Sequence, residues 1–317
     1  MMDIGTGGTT NNQNRVTLKK ESPCSSHSFF GKHRANAWKL TMVLPFATVS
    51  VLFFLLPFLF TIPISFTNWS IIGTPHFVGF KNYLRMWNDP AALQALANTF
   101  YYILLQVPSL VVLGFGLALL LNAKIPGRLL GRTVVIMPYV INVAVMGIIW
   151  RWIFDPNFGI LNYYLGKMGI PPLWWLTDPK TAMLSIVIAN LWWSAGFNTT
   201  VYLAGIQGVP KELFEAAKVD GANQWQLLRK ILIPALRPVT LYVIIIDTIT
   251  SFQIFGEPFV MTQGGPLGAT ATLTLKIYNV AFNDLKLGYA SALSVVFLVI
   301  LSALLIIQFR GFKGDAD

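Results

Sequence analysis

A single cysteine, Cys24, occurs in 317 residues, so no disulfide can form within the chain. Only three histidines are present, none paired with cysteine at the spacing a metal ion needs. The Gly-x-x-x-x-Gly-Lys-Ser/Thr loop that cradles nucleotide phosphates is absent, and so is the Gly-x-Ser-x-Gly nucleophile elbow. Hydrolysis of ATP by this chain, metal chemistry and acyl transfer thus have no motif to rest on. Charge is scarce as well: 11% of residues are charged, against about a quarter in soluble domains. With 55% hydrophobic residues and a mean hydropathy of +0.60, the apolar runs are too long for a soluble core. The composition is that of an integral membrane protein.

What charge there is gathers in an island of about thirty residues, 209–238, between two runs long enough to cross a bilayer. Pro210 suits a first helical position, residues 211–219 can make about two turns of helix, and Gly221 supplies a sharp bend before a second helix. Ala216 and Ala217 present almost no side chain, so another protein's surface can come close. Lys211, Glu212, Glu215 and Lys218 keep the remaining faces wet. The island reads as a docking hairpin.

Glu215-Ala216-Ala217, Asp220-Gly221-Ala222 and Ile231-Leu232-Ile233-Pro234, at this spacing, resemble the cytoplasmic EAA loop of binding-protein-dependent ATP-binding cassette importer permeases, the MetI-like, type I class. Ile233 departs from the usual leucine, and Leu228 stands where an aromatic is common; both exchanges are apolar for apolar. The resemblance implies an all-α membrane fold of six transmembrane helices with a cytoplasmic coupling helix. It implies that Glu212, Glu215, Ala216, Ala217, Asp220 and Gly221 couple to an ATPase. The partners it implies are a second homologous permease in a heterodimer, a dimer of ATPase subunits carrying ATP and Mg, and a periplasmic or lipid-anchored solute-binding protein. This chain itself would bind no cofactor and no nucleic acid.

Along the chain, residues 1–37 are rich in Gly, Thr, Asn, Ser and Lys and read as a disordered cytoplasmic tail. Residues 38–95 hold a first span, 40–66, with Pro45, Pro57 and Pro63, and then an aromatic, interfacial segment, 68–95. Within that segment Gly79-Phe-Lys-Asn-Tyr83 resembles the family's periplasmic GxxNY region. Residues 96–310 form the core, with further spans at 98–121, 133–154, 181–207, 239–261 and 288–309, and 311–317 form a tail. Trp150 and Trp152 suit an interfacial belt. The turn Thr262-Gln-Gly-Gly-Pro266 resembles the TxGGP turn of the carbohydrate-uptake branch, the maltose and glycerol-phosphate type.

Cation placement orients these spans independently of the resemblance. Of 23 lysines and arginines, only Lys81, Arg85, Arg151, Lys167, Lys180, Lys276 and Lys286 fall on the side away from the island, leaving 16 with it. By the positive-inside rule the island and both termini face the cytoplasm of a bacterial inner membrane.

Carboxylates inside an apolar span are costly and point to a function. On a continuous helix advancing about 100° per residue, Thr250, Gln253 and Glu257 fall within roughly 60° of one another, with Asp247 at the edge of that arc. Asn190, Trp193, Phe197 and Thr200 form a similar stripe on the fourth span, as do Tyr139, Asn142 and Met146 on the third. Amides, carboxylates and aromatic rings suit a sugar or sugar-like solute, and Tyr139, Asn142, Asn190, Trp193, Phe197, Asp247, Thr250, Gln253 and Glu257 are the candidate path. The plainer reading is interhelical hydrogen bonding, with Glu257 a rim residue meeting water. The alternative function is an ion-coupled secondary transporter using Asp247 and Glu257 as relays, which needs no docking hairpin.

Overall fold

The computed structural model describes residues 41–123 and 126–313. The N-terminal tail, Cys24, the cations up to Lys39, Lys124 and residues 314–317 lie outside the described residues. The chain divides after Pro57 into two units. The first helix, α1 (Thr41–Ser65), is among the most apolar segments. It carries a π-helical turn, Val51–Leu55, just ahead of Pro57, where the chain loses a backbone donor.

In the second unit, the GxxNY residues explain how the chain leaves α1. Asn82 donates through Nδ2 to the carbonyls of Ser65 and Thr67 at 2.8 and 2.7 Å, and the Tyr83 hydroxyl pairs with Ser65 Oγ at 2.6 Å. These bonds tie α2 (Lys81–Trp87) back to the helix end, where carbonyls otherwise lack partners.

The second span, α3, is Pro90–Asn122 rather than 98–121. Asp89 caps it and Pro90 opens it, a start signal of cap followed by proline that the hydropathy reading passed over. The expected boundary at 95/96 thus falls inside a helix. Asp89 Oδ1 accepts from the Ala91 and Ala92 amides at 3.0 and 3.3 Å. Its Oδ2 accepts from the Tyr289 hydroxyl at 2.9 Å and lies 3.5 Å from Lys276 Nζ. Burial pushes the Asp89 carboxyl up, but the Tyr289 hydroxyl, the Lys276 ammonium and the two amides outweigh it and hold it below the usual 3.8. The unfolded chain therefore binds this proton more readily. The stabilisation is complete above 3.8 and is lost as pH falls through the lower, folded value. Between about pH 5 and about pH 3, thermal melting of the Asp89→Asn protein should show a flatter acid limb than the unchanged protein.

The third span is not one helix. α4 (Arg128–Val140) and α5 (Val143–Ile153) meet at a 102° bend. α6 (Ile160–Lys167) follows, and α7 (Ala182–Gly208) returns as the fourth span. After the charged hairpin, the fifth span is also broken, into α10 (Arg237–Phe252) and α11 (Gly256–Met261). α12 (Leu273–Tyr278) and α13 (Leu287–Lys313) complete the described chain.

Among the described residues, four segments are long and apolar enough to cross a membrane, namely α1, α3, the α10–α11 stretch Arg237–Met261 and α13, and the bent α4–α5 pair makes a fifth. The expected sixth is α7, 27 residues long, whose Asn190, Ser194, Asn198 and Thr199 lower its apolarity. Those polar groups face protein: α7 packs against α3, α4 and α10. Gly114 of α3 and Gly196 of α7 permit this closeness, since a Cβ on either would lie within 2.7 Å of its neighbour.

Of the two tryptophans expected in an interfacial belt, Trp152 is exposed, whereas Trp150 packs against Phe154 and Trp192. Several of the cations expected on the side away from the hairpin also have local partners. Lys276 pairs with Asp89 and Lys286 with Asp284, while Arg85 and Lys167 stand over the rings of Tyr289 and Tyr163.

Candidate functional site

The charged hairpin connects α7 to α10. Its first helix, α8, is Lys211–Val219, with Pro210 at the capping position rather than the first helical one. Gly221 bends the chain at φ +79°, and the amides of Asp220, Gly221 and Ala222 close the helix end on the carbonyls of Ala216, Lys218 and Ala217. Asn223 and Gln226 then cap each other reciprocally, starting α9 (Gln224–Leu227). A π-turn (Leu228–Leu232) and a short turn containing Pro234 lead into α10.

Glu212, Glu215, Ala216, Asp220 and Gly221 are exposed, and Ala217 is half-buried. Phe214 packs inward against a cluster that includes Tyr202, Ile206, Leu232 and Leu236, fastening α8 to the ends of the flanking helices. Leu213, Val219 and Trp225 point outward, Val219 at 89% and Trp225 at 64% exposure. The sequence reading had not singled out these three. Apolar side chains standing among charges on a hairpin are a signal of contact with another protein.

The second feature is a cavity of about 360 Å³ between α7 and the two broken spans. Tyr139, Asn190, Trp193, Phe197, Asp247, Thr250, Gln253 and Glu257 all line it. Asn142 does not: it sits at the α4–α5 break, where its side chain accepts from the Ala144 amide at 2.9 Å and caps α5. Met146 is buried in the apolar core instead, and Thr200 bonds the Gly196 carbonyl within its own helix.

The expected stripe of Thr250, Gln253 and Glu257 on one helix is also corrected. The helix ends at Phe252, so Glu257 belongs to α11 and is buried rather than at a wet rim. Residues 253–256, at the break, line the cavity together with groups on both sides of it. Irregular backbone at membrane depth is tolerated where it lines a cavity and its polar groups find partners. Here Trp193 Nε1 donates to the Ile141 carbonyl at 2.8 Å, and Thr272 Oγ1 to the Ile254 carbonyl at 3.0 Å.

Both carboxylates are held by amides. Asn198 Nδ2 donates to Asp247 Oδ2 at 2.6 Å, and Asn190 Nδ2 donates to Glu257 Oε1. Asn190 Oδ1 in turn accepts from Gln106 Nε2 and Ser194 Oγ, each at 2.7 Å. Gln106, Ser194 and Asn198 were missed from sequence, although an amide inside the apolar run of α3 was the signal for the first. Tyr139, also in the lining, lies against Phe197 and Trp193, with ring centroids 5.5 and 5.2 Å away. The cavity lining thus combines aromatic rings with hydrogen-bonding groups. Asp247 and Glu257 are the only charged groups among its described lining residues.

A family profile described as the inner membrane component of binding-protein-dependent transport systems matches residues 88–312. The trehalose/maltose transport system permease protein MalF of Thermococcus litoralis is 32% identical over 280 residues, which cover 88% of this chain and 95% of that protein. The lactose transport system permease protein LacF of Rhizobium radiobacter is 37% identical over 239 residues, 74% of this chain and 80% of that one. A chain in the crystal structure of a bacterial transporter for the acidic polysaccharide alginate superposes with a TM-score of 0.80 at 21% identity, covering 91% of this chain and 99% of its own. That likeness shows the same fold over this share of the chain. The chain belongs to the family of binding-protein-dependent transport system inner membrane components.

Proposed function

We propose that this chain is one of two permease subunits of an ATP-driven importer, and that it moves a sugar or sugar-like solute across the inner membrane by alternating access. The observation that carries the reading is a connection. The exposed hairpin joins α7 directly to α10, and these two helices supply half of the cavity lining. A force on α8 therefore reaches the cavity walls through Phe214 and the cluster beneath it. In this reading a dimer of ATPase subunits, holding the ATP and Mg, grips Glu212, Glu215, Ala216, Ala217, Asp220 and Gly221. Closure of that dimer rocks the helices between outward and inward openings.

A solute-binding protein delivers the sugar at the opposite face. One solved neighbour is a transporter in complex with an alginate pentasaccharide-bound periplasmic protein, which supports a partner of that kind. The cation distribution supports placing both termini and the hairpin in the cytoplasm. Relatives named for trehalose, maltose and lactose transport support the sugar class.

The test is uptake of labelled trehalose, maltose and lactose into vesicles holding the complete complex. ATP should be required, and omission of the ATPase should abolish uptake. Asp247→Asn and Gln253→Ala should each change the half-saturating concentration or the maximal rate several-fold at unaltered membrane abundance. Unchanged kinetics in both would reduce these residues to packing roles, and uptake without any ATPase would refute the importer reading.

A further inference from the structure

A second cavity, also of about 360 Å³, lies outside the central one and is lined by Phe259, Gln263, Leu275, Tyr278, Asn279 and Asn283. It sits between α11, α12 and the segment that leads to α13. It therefore lies beyond the end of α10, about 24 Å of helix from the coupling hairpin. Its chemistry is two aromatic rings, three side-chain amides and no charge. Amides carry both a donor and an acceptor, the pair that a hydroxyl group needs. Asn283 Nδ2 donates to Asn279 Oδ1 at 3.0 Å, and this bond does not use the Asn279 amide hydrogens or the Asn283 carbonyl oxygen, a donor and an acceptor. Gln263 is held at φ +52°, a left-handed conformation that costs a non-glycine residue about 1–2 kcal/mol and gathers at ligand sites.

The rings do not stop at this cavity. Phe255, which lines the central cavity, stacks on Phe259 with centroids 5.1 Å apart and planes inclined by 19°. Tyr278 touches both, at 5.1 and 5.5 Å, and Phe282 continues the row at 5.1 Å from Tyr278. A row of this kind buried in a core would need no further explanation. This one emerges: Phe259 is 39% exposed and Phe282 62%. Its inner end opens on the polar cavity, and its outer rings stand exposed on the surface of this chain.

We propose that Phe259, Gln263, Tyr278, Asn279 and Asn283 form a second saccharide subsite, and that the aromatic row leads a neutral sugar from it into the central cavity. Sugar ring faces are apolar and slide over aromatic faces, while the amides exchange hydrogen bonds with hydroxyls at each stage. A volume of about 360 Å³ falls within the usual range for small-ligand sites. The proposal rests on the sugar-importer reading above and adds to it a holding place on the side facing the binding protein.

Cys24 is the chain's only cysteine, so Cys24→Ser clears the background for a thiol probe. In that chain, assembled with its partners in right-side-out vesicles, Asn283→Cys is labelled with a membrane-impermeant maleimide. Labelling is timed in trehalose, maltose and lactose, with mannitol as the osmotic control. At saturation at least one disaccharide should slow labelling about tenfold relative to mannitol. Phe259→Ala combined with Tyr278→Ala should abolish this protection at normal membrane abundance, while Tyr278→Phe, which keeps the ring, should preserve it. Equal rates in all four solutes, or a thiol that never reacts, would overturn the subsite. ATP-driven uptake of the same sugars is measured in parallel. Uptake without protection removes the subsite and leaves the importer, whereas protection without ATP-driven uptake does the reverse.

Discussion

Gly221→Val should reduce ATP-driven uptake at least tenfold while the protein still inserts and accumulates normally. Gly221 holds φ +79° at the bend between α8 and α9, and a Cβ built there would meet nothing within 4 Å. The penalty is therefore conformational rather than steric. A residue with a β-carbon pays about 1–2 kcal/mol in the left-handed region, and a β-branched one is a genuine outlier there. The bend relieves that strain by moving, because what holds it locally is three turn bonds on Ala216, Ala217 and Lys218 and the exposed Asn223–Gln226 cap. The bundle is untouched, while α8, Ala216, Ala217 and the outward Val219 are re-aimed. Co-purification of the ATPase with the variant should fall in parallel with uptake. Gly221→Asn is the control, since asparagine tolerates this conformation far better and should retain most activity. Full uptake by the valine variant would show that the hairpin does not transmit the force.

Gly196→Ala should destabilise the whole second unit. A Cβ at Gly196 would lie 2.3 Å from the Val135 carbonyl oxygen and 2.8 Å from Ile136 Cα. Both are backbone atoms of α4, so no side chain can rotate aside and the helices must separate. Overpacking of this kind costs about 1–3 kcal/mol. The displacement also falls where Tyr139 stacks on Phe197 in the cavity lining, so transport should fail together with stability. The expected result is a lowered melting temperature of the detergent-solubilised complex and loss of uptake in vesicles. Gly116→Ala serves as the comparison: a Cβ there meets nothing, and alanine is the better helix former by about 1 kcal/mol. That variant should melt at or above the unchanged protein. Equal melting for the two variants would mean that α4 and α7 do not meet as closely as described.

Some of this was written in the chain locally. The scarcity of charge and the length of the apolar runs dictate a bilayer, because nothing else can solvate them. The hairpin was legible down to its turn glycine and helix limits, since Lys211–Val219 and Gly221 follow short-range helix and turn rules. Asp89 and Pro90 would have given the true start of α3 by the same rules, had they been weighed above hydropathy. The outward stance of Leu213, Val219 and Trp225 is different. Apolar residues on an amphipathic helix are ordinarily assigned inward, and only the packing of Phe214 shows which face is taken.

The candidate path shows where local reasoning ends. The residue types of Tyr139, Asn190, Asp247, Gln253 and Glu257 announced polar groups inside apolar spans, and their cost in lipid required that they face something else. Helical periodicity then arranged them as stripes on unbroken rods. The rods are broken at residues 141–142 and 253–255, and the cavity forms around those breaks. A break at that depth survives only because Trp193 bonds the Ile141 carbonyl and Thr272 bonds the Ile254 carbonyl. Those partners are 52 and 18 residues away in the chain, and no periodicity within either span encodes them. Composition and short-range signals alone determined that this is a membrane chain with a charged, exposed hairpin between two spans. Tertiary structure alone decided that its polar groups enclose a cavity, because the carbonyls freed at a break can be satisfied only by residues that folding brings from elsewhere.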